Sequence, residues 1–455
     1  YALESYFGRI ALSWDNKYIL NASLRSDGSS RFAKNKRYGY FPSASFAWRA
    51  SNEEFFPKNK YVNDAKLRLS WGMTGSMAGV SNYAPLSLIS AGGASYNGSA
   101  GFQISQDARA LTWEKASQFN IGFDIEMFQS RLTLNIDMFY QKTTDLLFKK
   151  PVNATTGYTT LQSNIGSLEN KGLELALNGK IFTGKFKWDL GGNISFVKNK
   201  LLSLIEGNDM YIVPSSGSNL LGGSMHALIN GQPISTFYML KMEGIYQRDD
   251  EVPAKLYAKG VRAGDVKYHD ADNNGIINDN DRVLTGSSNP DFFGGWNNTF
   301  KYKGFQLDVF FTYMYGNDVY AEWAVTATRP GYRMAITEDV AKNRWTAPGS
   351  SDKYPRAVNT LCGHNSKNST RFLEDGSFIR LRSLTFSYTF PQVMLQKICL
   401  KGLRLYVQGD NLLLFSKYSG WDPEVSKNMD PQYFGVDLYG VPPSRSVNFG
   451  INLSF

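Results

Sequence analysis

Val447-Asn448-Phe449-Gly450-Ile451-Asn452-Leu453-Ser454-Phe455 closes the chain, and its alternation decides the fold. Successive side chains of a β-strand point to opposite faces. Val447, Phe449, Ile451, Leu453 and Phe455 therefore share one face, and Asn448, Gly450, Asn452 and Ser454 share the other. A soluble sheet shows the same alternation, but chain ends there are usually polar and frayed. An apolar outer face, a polar inner face and a terminal Phe are what a membrane β-barrel needs in its last strand. The five apolar residues are read as an outer-membrane assembly signal.

The same period recurs along the whole chain. It predicts strands near 6–15, 17–26, 40–50, 65–74, 116–127, 131–142, 171–182 and 185–199. The later set is 233–247, 291–302, 304–315, 376–390, 402–414 and 444–455. That makes about fourteen strands of about ten residues each, the length a tilted membrane strand requires. W-D-N-K-Y (14–18), M-F-Q-S-R (127–131) and T-G-K (183–185) read as tight turns. The connections 75–115, 143–170, 200–232, 248–290 and 316–375 are long. Short turns alternating with long loops point to a transmembrane antiparallel β-barrel, since a compact soluble domain rarely carries so many long loops. Two short helices are expected at 318–328 and 334–345, around the breaker Arg329-Pro330-Gly331.

Composition agrees with this reading. The 455 residues are 42% hydrophobic with a mean hydropathy of −0.33. Half of every barrel strand faces water, so a low mean does not argue against a membrane. No apolar run approaches the roughly 20 residues of a spanning helix, so any crossing must be by a closed barrel. The 26 Tyr, 30 Phe and 9 Trp suit a water–lipid boundary. Net charge is +9, but the densest basic run, 31–37, lies between two strand patterns and belongs to no nucleic-acid module. Cys362 and Cys399 form no disulfide framework, and Cys362-Gly363-His364 lacks a second ligand pair at zinc spacing. No signal peptide opens the chain, whose beginning reads as cut.

One motif carries possible ligand chemistry. D-A-D-N-N-G-I-I-N-D-N-D (270–281) fits a twelve-position calcium loop. Asp270, Asp272 and Asn274 would supply side-chain oxygens, and Ile276 its carbonyl. Asn278 would act through water, and Asp281 would close the shell. Hard cations take oxygen ligands, and Gly275 permits the sharp bend. The alternative is an Asx-rich turn that satisfies its own backbone. The closing residue is Asp where the pattern has Glu, and no pair of amphipathic helices flanks the loop. Enzyme fingerprints such as G-x-S-x-G, H-E-x-x-H and the phosphate-binding loops are absent from the sequence. The Gly-rich segment 91–101 reads as a flexible loop. None of His226, His269 and His364 neighbours a nucleophile, so no catalysis is expected.

Several segments together resemble the SusC/RagA-like family of TonB-dependent outer-membrane transporters of Bacteroidetes. They are 26–49, K-L-R-L-S-W-G-M-T-G (66–75), W-E-K-A-S-Q-F-N-I-G-F-D (113–124) and N-I-G-S-L-E-N-K-G-L-E (164–174). The set continues with the calcium-like loop and its flanks. It ends with D-G-S-F-I-R-L-R-S-L-T-F-S-Y-T-F-P (375–391), 405–424 and the closing strand. The resemblance covers residues 1–455 and implies a barrel of about 22 strands with an N-terminal plug and a TonB box. This chain shows neither plug nor TonB box. It is expected to be the C-terminal part of such a barrel, or one of several chains completing one. About fourteen strands alone would leave two open edges in lipid.

The resemblance further implies TonB-dependent import of a bulky nutrient, with a SusD-like surface lipoprotein as partner. A glycan is favoured and a peptide is the alternative cargo. A passive porin is the competing reading, and the upstream sequence separates the two. A secreted soluble β-protein is the third, and it would be extracted without detergent.

Overall fold

Among the described residues of the computed structural model thirteen long strands form, each where the sequence alternates at period two. It describes residues 1–455 except 58, 60, 87, 97–98, 105–107, 152, 154, 156–159, 205–208, 214–222, 332–333, 360–362, 397–399 and 427–433. Contacts divide the chain into two units. The first holds Tyr1–Ile181 and Asp189–Asp209, and the second holds Phe182–Trp188 and Met210–Phe455.

In the first unit the strands follow one another as an antiparallel meander. They are β1 (Leu3–Trp14), β2 (Tyr18–Ser29), β3 (Tyr38–Arg49) and β4 (Val62–Ser76). β5 (Glu114–Met127), β6 (Leu132–Thr144), β7 (Ser167–Thr183) and β8 (Phe186–Ser203) complete it, the last hairpin's tip counting with the second unit. The second unit repeats the pattern with β9 (Phe292–Tyr302), β10 (Phe305–Tyr315), β11 (Phe378–Thr389), β12 (Gly402–Ser416) and β13 (Ser446–Ser454).

The expected tight turns are present, and their chemistry explains them. Asp15 and Asn16 both sit at φ 51°, the primed-turn geometry that matches the twist of a hairpin and that Asx residues tolerate. Lys303 and Gly304 do the same between β9 and β10. In each unit, one end of the meander carries the short turns and the other carries the long connections 77–113 and 145–166, or 316–377 and 417–445. The last of these was not among the expected loops.

Register places apolar residues in continuous rows. In the first unit Leu12, Leu20, Phe46, Leu69, Ile121, Met138 and Leu173 are successive cross-strand partners. In the second, Phe300, Leu307, Phe386, Val407 and Phe449 form the equivalent row. Phe449 is 82% exposed, and Leu12, Leu20, Met138 and Phe386 are exposed too. Soluble monomers rarely leave an apolar surface of this extent in water. In lipid the same surface is the expected one.

The long connections fold on cores of their own. In the first unit Phe32, Phe41, Val80, Leu111 and Trp113 pack together, and Trp113 Nε1 donates to the Arg37 carbonyl at 2.8 Å. Among the described residues of the second unit two such cores form. One gathers Phe237, Met239, Tyr320, Val325, Phe372 and Val436, and the other gathers Tyr246, Leu256, Val266, Tyr268 and Ile277. Burying one such side chain stabilises by roughly 1.5–3 kcal/mol, so the loops are built as globular layers.

Three expectations need correction. Segment 233–247 is not a wall strand. Thr236–Leu240 and Met242–Ile245 join small separate sheets, because Thr236, Phe237, Met239 and Leu240 are buried on both faces. A near-continuous apolar run marks a strand covered on both sides, which period two alone does not separate from a wall strand. The connections expected at 200–232 and 248–290 are therefore one long excursion between β8 and β9. The Gly-rich 91–101 is not wholly loop, since Ile89–Tyr96 pairs antiparallel with Ser99–Ile104. Helices occur at Ala324–Ala327 and Glu338–Asn343, shorter than expected, and Asp318–Ala321 is a strand beside Leu373–Asp375.

Candidate functional site

The face opposite the apolar rows is polar and internally bonded. In the first unit Arg9 donates to Asn21 at 2.9 Å, Asn21 donates to Ser45, and Ser23 meets Ser43 at 2.7 Å. These residues, with Arg25, Asp27, Gln118 and Asn120, line an open cavity of about 900 Å³.

Next to it stands a charge cluster. Arg68 grips Asp124 through Nε and a terminal nitrogen, and the same terminal nitrogen reaches Asp137 at 2.9 Å. Lys66 pairs with Asp124 at 2.8 Å, and Asn135 donates to it at 2.9 Å. Gly122 makes this crossing possible. A Cβ there would lie 2.6 Å from both the Arg68 guanidinium and an Asp137 oxygen. The motifs K-L-R-L and N-I-G-F-D are thus two halves of one bonded cluster.

The closing strand keeps its predicted sidedness. Val447, Phe449, Ile451, Leu453 and Phe455 are all exposed on the outer side. On the inner side Ser446 and Asn448 donate to Asp410, and the Tyr406 ring lies where a Gly450 Cβ would fall.

A buried ion pair ties a long loop to the wall of the second unit. Arg380 on β11 donates to both Asp422 oxygens at 2.6 and 2.7 Å and meets Glu424 at 2.8 Å. Arg380 and Asp422 side chains are 3% and 2% exposed. Arg382 stands 3.6 Å from Glu424. Sequence reasoning quoted F-I-R-L-R and W-D-P-E as separate motifs and missed that they pair. Their signal was complementary charge in two segments that the fold makes neighbours.

The calcium-like loop brings three of its predicted ligands together. One carboxylate oxygen each of Asp270, Asp272 and Asp281 lie within 4.8 Å of one another. Asp270 accepts from the Gly275 and Asn274 amides at 2.7 and 3.1 Å. Partial desolvation opposes its ionisation, but those amides outweigh it and hold the carboxyl below its usual range. Asp281 is fully buried and accepts from the Ala271 and Asn278 amides. Asn274 donates to Asp272 and accepts from the Ile276 amide. Asn278 caps the short turn Asp279–Asp281. Gly275 takes φ +72°, as the sharp bend requires. Each carboxylate oxygen has two lone-pair sites, so an amide bond leaves one for a cation. Calcium–oxygen distances of about 2.3–2.6 Å span the observed separation. The donor set therefore fits a hard divalent ion.

Each of the three histidines bonds a neighbouring group. His226 Nε2 meets the Phe434 carbonyl at 3.2 Å, and burial pushes the ring down to about 4. His364 Nε2 bonds the Val266 carbonyl at 2.8 Å, and His269 Nδ1 bonds Glu243 at 2.9 Å. Cys362 and Cys399 lie outside the described residues.

Comparison with known proteins gives a consistent answer. Residues 1–412 match the family described as TonB dependent receptor-like, beta-barrel. The whole chain is 33% identical to TonB-dependent receptor P3 of Formosa agariphila, of which it covers 45%. It is 29% identical to TonB-dependent receptor SusC of Bacteroides thetaiotaomicron, covering 44%. The solved structure of the RagAB peptide transporter superposes over the whole chain with a TM-score of 0.84 at 25% identity, covering 47% of the neighbour. The chain thus spans about half the length of the relatives it matches.

Proposed function

The chain belongs to the TonB dependent receptor-like β-barrel family, and on that premise we propose that it serves energy-dependent import of a bulky nutrient across the outer membrane of a Gram-negative bacterium. What carries this reading is one arrangement seen in each unit. Apolar rows face outward, a polar bonded wall faces the other way, and folded loop layers stand at one end of the strands. A barrel wall with a structured outer layer suits capture and passage of a large ligand better than free diffusion of ions. In this reading residues 1–455 supply the C-terminal part of one barrel domain, with the remaining wall and a plug completing it. TonB acts from the periplasm, and a SusD-like lipoprotein closes over the loops.

An oligosaccharide is the favoured cargo. The Ser, Asn, Gln and Arg side chains around the 900 Å³ cavity offer many small donors and acceptors for hydroxyl groups. A peptide is the second reading, favoured by the likeness to a solved peptide transporter. Purification from native outer membranes, followed by mass spectrometry, tests both. The proposal expects a lipoprotein, a plug-bearing barrel and a retained glycan. A barrel with neither plug nor lipoprotein would overturn it in favour of a passive pore, and retained peptide would replace the cargo.

The loop 270–281 holds a divalent cation, Ca²⁺, in this account, as a staple of the outer layer. Titrating Ca²⁺ into chelator-treated protein should give saturable heat and a raised unfolding temperature, both lost in Asp270→Asn/Asp272→Asn. Absence of heat in the unaltered protein would remove the ion from the account.

A further inference from the structure

The apolar face of the second unit is not evenly filled. Near the loop end of β9 to β12 it carries an open groove of about 590 Å³. Phe292, Trp296, Tyr313, Tyr315, Ile379 and Phe415 wall it. Phe292 and Trp296 lie an even number of positions from Phe300, and Tyr313 and Tyr315 from Leu307. Ile379 pairs with both Tyr313 and Phe415. All six therefore share the face of the outward row. Gly294 explains the gap. It takes an outward position between Phe292 and Trp296, across from Tyr313, and has no side chain to fill it. On either side Phe292 stacks on Tyr315 at 5.1 Å and Trp296 on Phe311 at 4.7 Å. Beside the groove the register shifts at Phe310/Phe311 and again at Leu381/Ser383. Such bulges bend a strand and re-aim its side chains.

Tyr315, Ile379 and Phe415 are exposed along the groove. A concave apolar patch marks a binding site. The groove is continuous with the apolar rows, so what fills it is what covers them, a lipid chain. The rim says which lipid. Asp375 and Lys417 line it and act on each other as opposite charges. Asp375 accepts from the Ser377 amide at 2.9 Å, and Lys417 is exposed. Further carboxylates surround them. Asp291 and Asp375 both act on Asp318, which accepts from the Ser287 amide at 2.9 Å. Glu374 accepts from the Ser419 amide and hydroxyl. Lys353 acts on Glu374 and stands 3.9 Å from Asp339. Carboxylates thus outnumber ammonium groups here, which repels a purely anionic headgroup. A headgroup that joins a phosphate to an amine meets Lys417 and Asp375 together.

We propose that this groove binds one acyl chain of a zwitterionic aminophospholipid, its amine at Asp375 and its phosphate at Lys417. The site rests on the reading of this face as lipid-facing and gives one place on it a defined selectivity.

The test is thermal unfolding of delipidated full-length protein in detergent, titrated with short-chain phosphatidylethanolamine or phosphatidylglycerol. A saturable rise in unfolding temperature is expected, at lower concentrations of phosphatidylethanolamine. Ile379→Trp fills the groove and should weaken the apparent affinity about tenfold. Leu405→Trp, on the same face but away from the groove, should leave it unchanged. If Ile379→Trp does not fold, Phe415→Ala removes one wall and should weaken binding instead. Asp375→Asn should narrow the difference between the two lipids. No saturable rise, or an equal rise in unaltered protein and in the folded groove variant, overturns the site. Tighter binding of phosphatidylglycerol overturns the headgroup assignment. Failure of the lipid-facing reading looks different, since the labelled closing strand would then meet water on both sides.

Discussion

At the scale of single residues, the charge cluster of the first unit hinges on an absent side chain. Gly122 leaves the gap through which Arg68 reaches Asp137, and a Cβ there would meet both partners at 2.6 Å. Gly122→Ala should cost about 1–3 kcal/mol, the range for overpacking. Gly8 on β1 has nothing within 4 Å of its Cβ position, so Gly8→Ala should stay within about 0.5 kcal/mol. The temperature at which the folded band disappears on unheated gels measures both. Equal effects would show that Gly122 is not selected for the crossing. The buried pair Arg380–Asp422 is the second test at this scale. Removing one partner strands a buried charge, so Arg380→Ala should destabilise by about 3–5 kcal/mol, and adding Asp422→Asn should restore part of it. No recovery in the double variant would mean that Arg380 acts through packing alone. None of this was legible beforehand. The alternation of K-L-R-L places Lys66 and Arg68 on one face, yet their partners Asp124 and Asp137 become visible only when register aligns β4, β5 and β6.

At the scale of elements, the wall strands were readable and the loop strands were not. A wall strand has one wet face and one lipid face, so its period survives in the residue order, as in Val447 to Phe455. Thr236–Leu240 is covered on both faces and loses that contrast. The tight turns were readable for a local reason, since Asp15-Asn16 states its own geometry. The cation loop was readable because its candidate ligands lie within twelve positions of one another, whereas the pair Arg380–Asp422 joins residues 42 positions apart. The loop layer should also respond to acid. His226 on His226–Ile229 is buried, and its pKa falls from 6.5 to about 4. Between those values the unfolded segment binds more protons than the folded one, so stability falls as pH drops. The loss should approach roughly 3 kcal/mol by pH 4. Hydrogen-exchange protection over 225–240, referred to the intrinsic rate at each pH, should fall between pH 7 and pH 4.5, and His226→Gln should flatten that dependence. An unchanged pH response in the variant would place the sensitivity elsewhere.

At the scale of the whole molecule, the account rests on which side of the strands meets lipid. The apolar rows that end on Leu173 and on Phe449 are the outer surface of a membrane wall, and the polar cluster faces water. The most direct measurement places single cysteines at 447, 448, 449, 451, 452 and 453, with Cys362 and Cys399 replaced by Ser. The labelled, full-length protein is then reconstituted in bilayers. Spin labels at 447, 449, 451 and 453 should relax with lipid-soluble oxygen and ignore a water-soluble nickel chelate. Labels at 448 and 452 should do the reverse. A strict alternation along the strand is the predicted result; equal access of the nickel chelate to both sets would contradict the membrane wall outright.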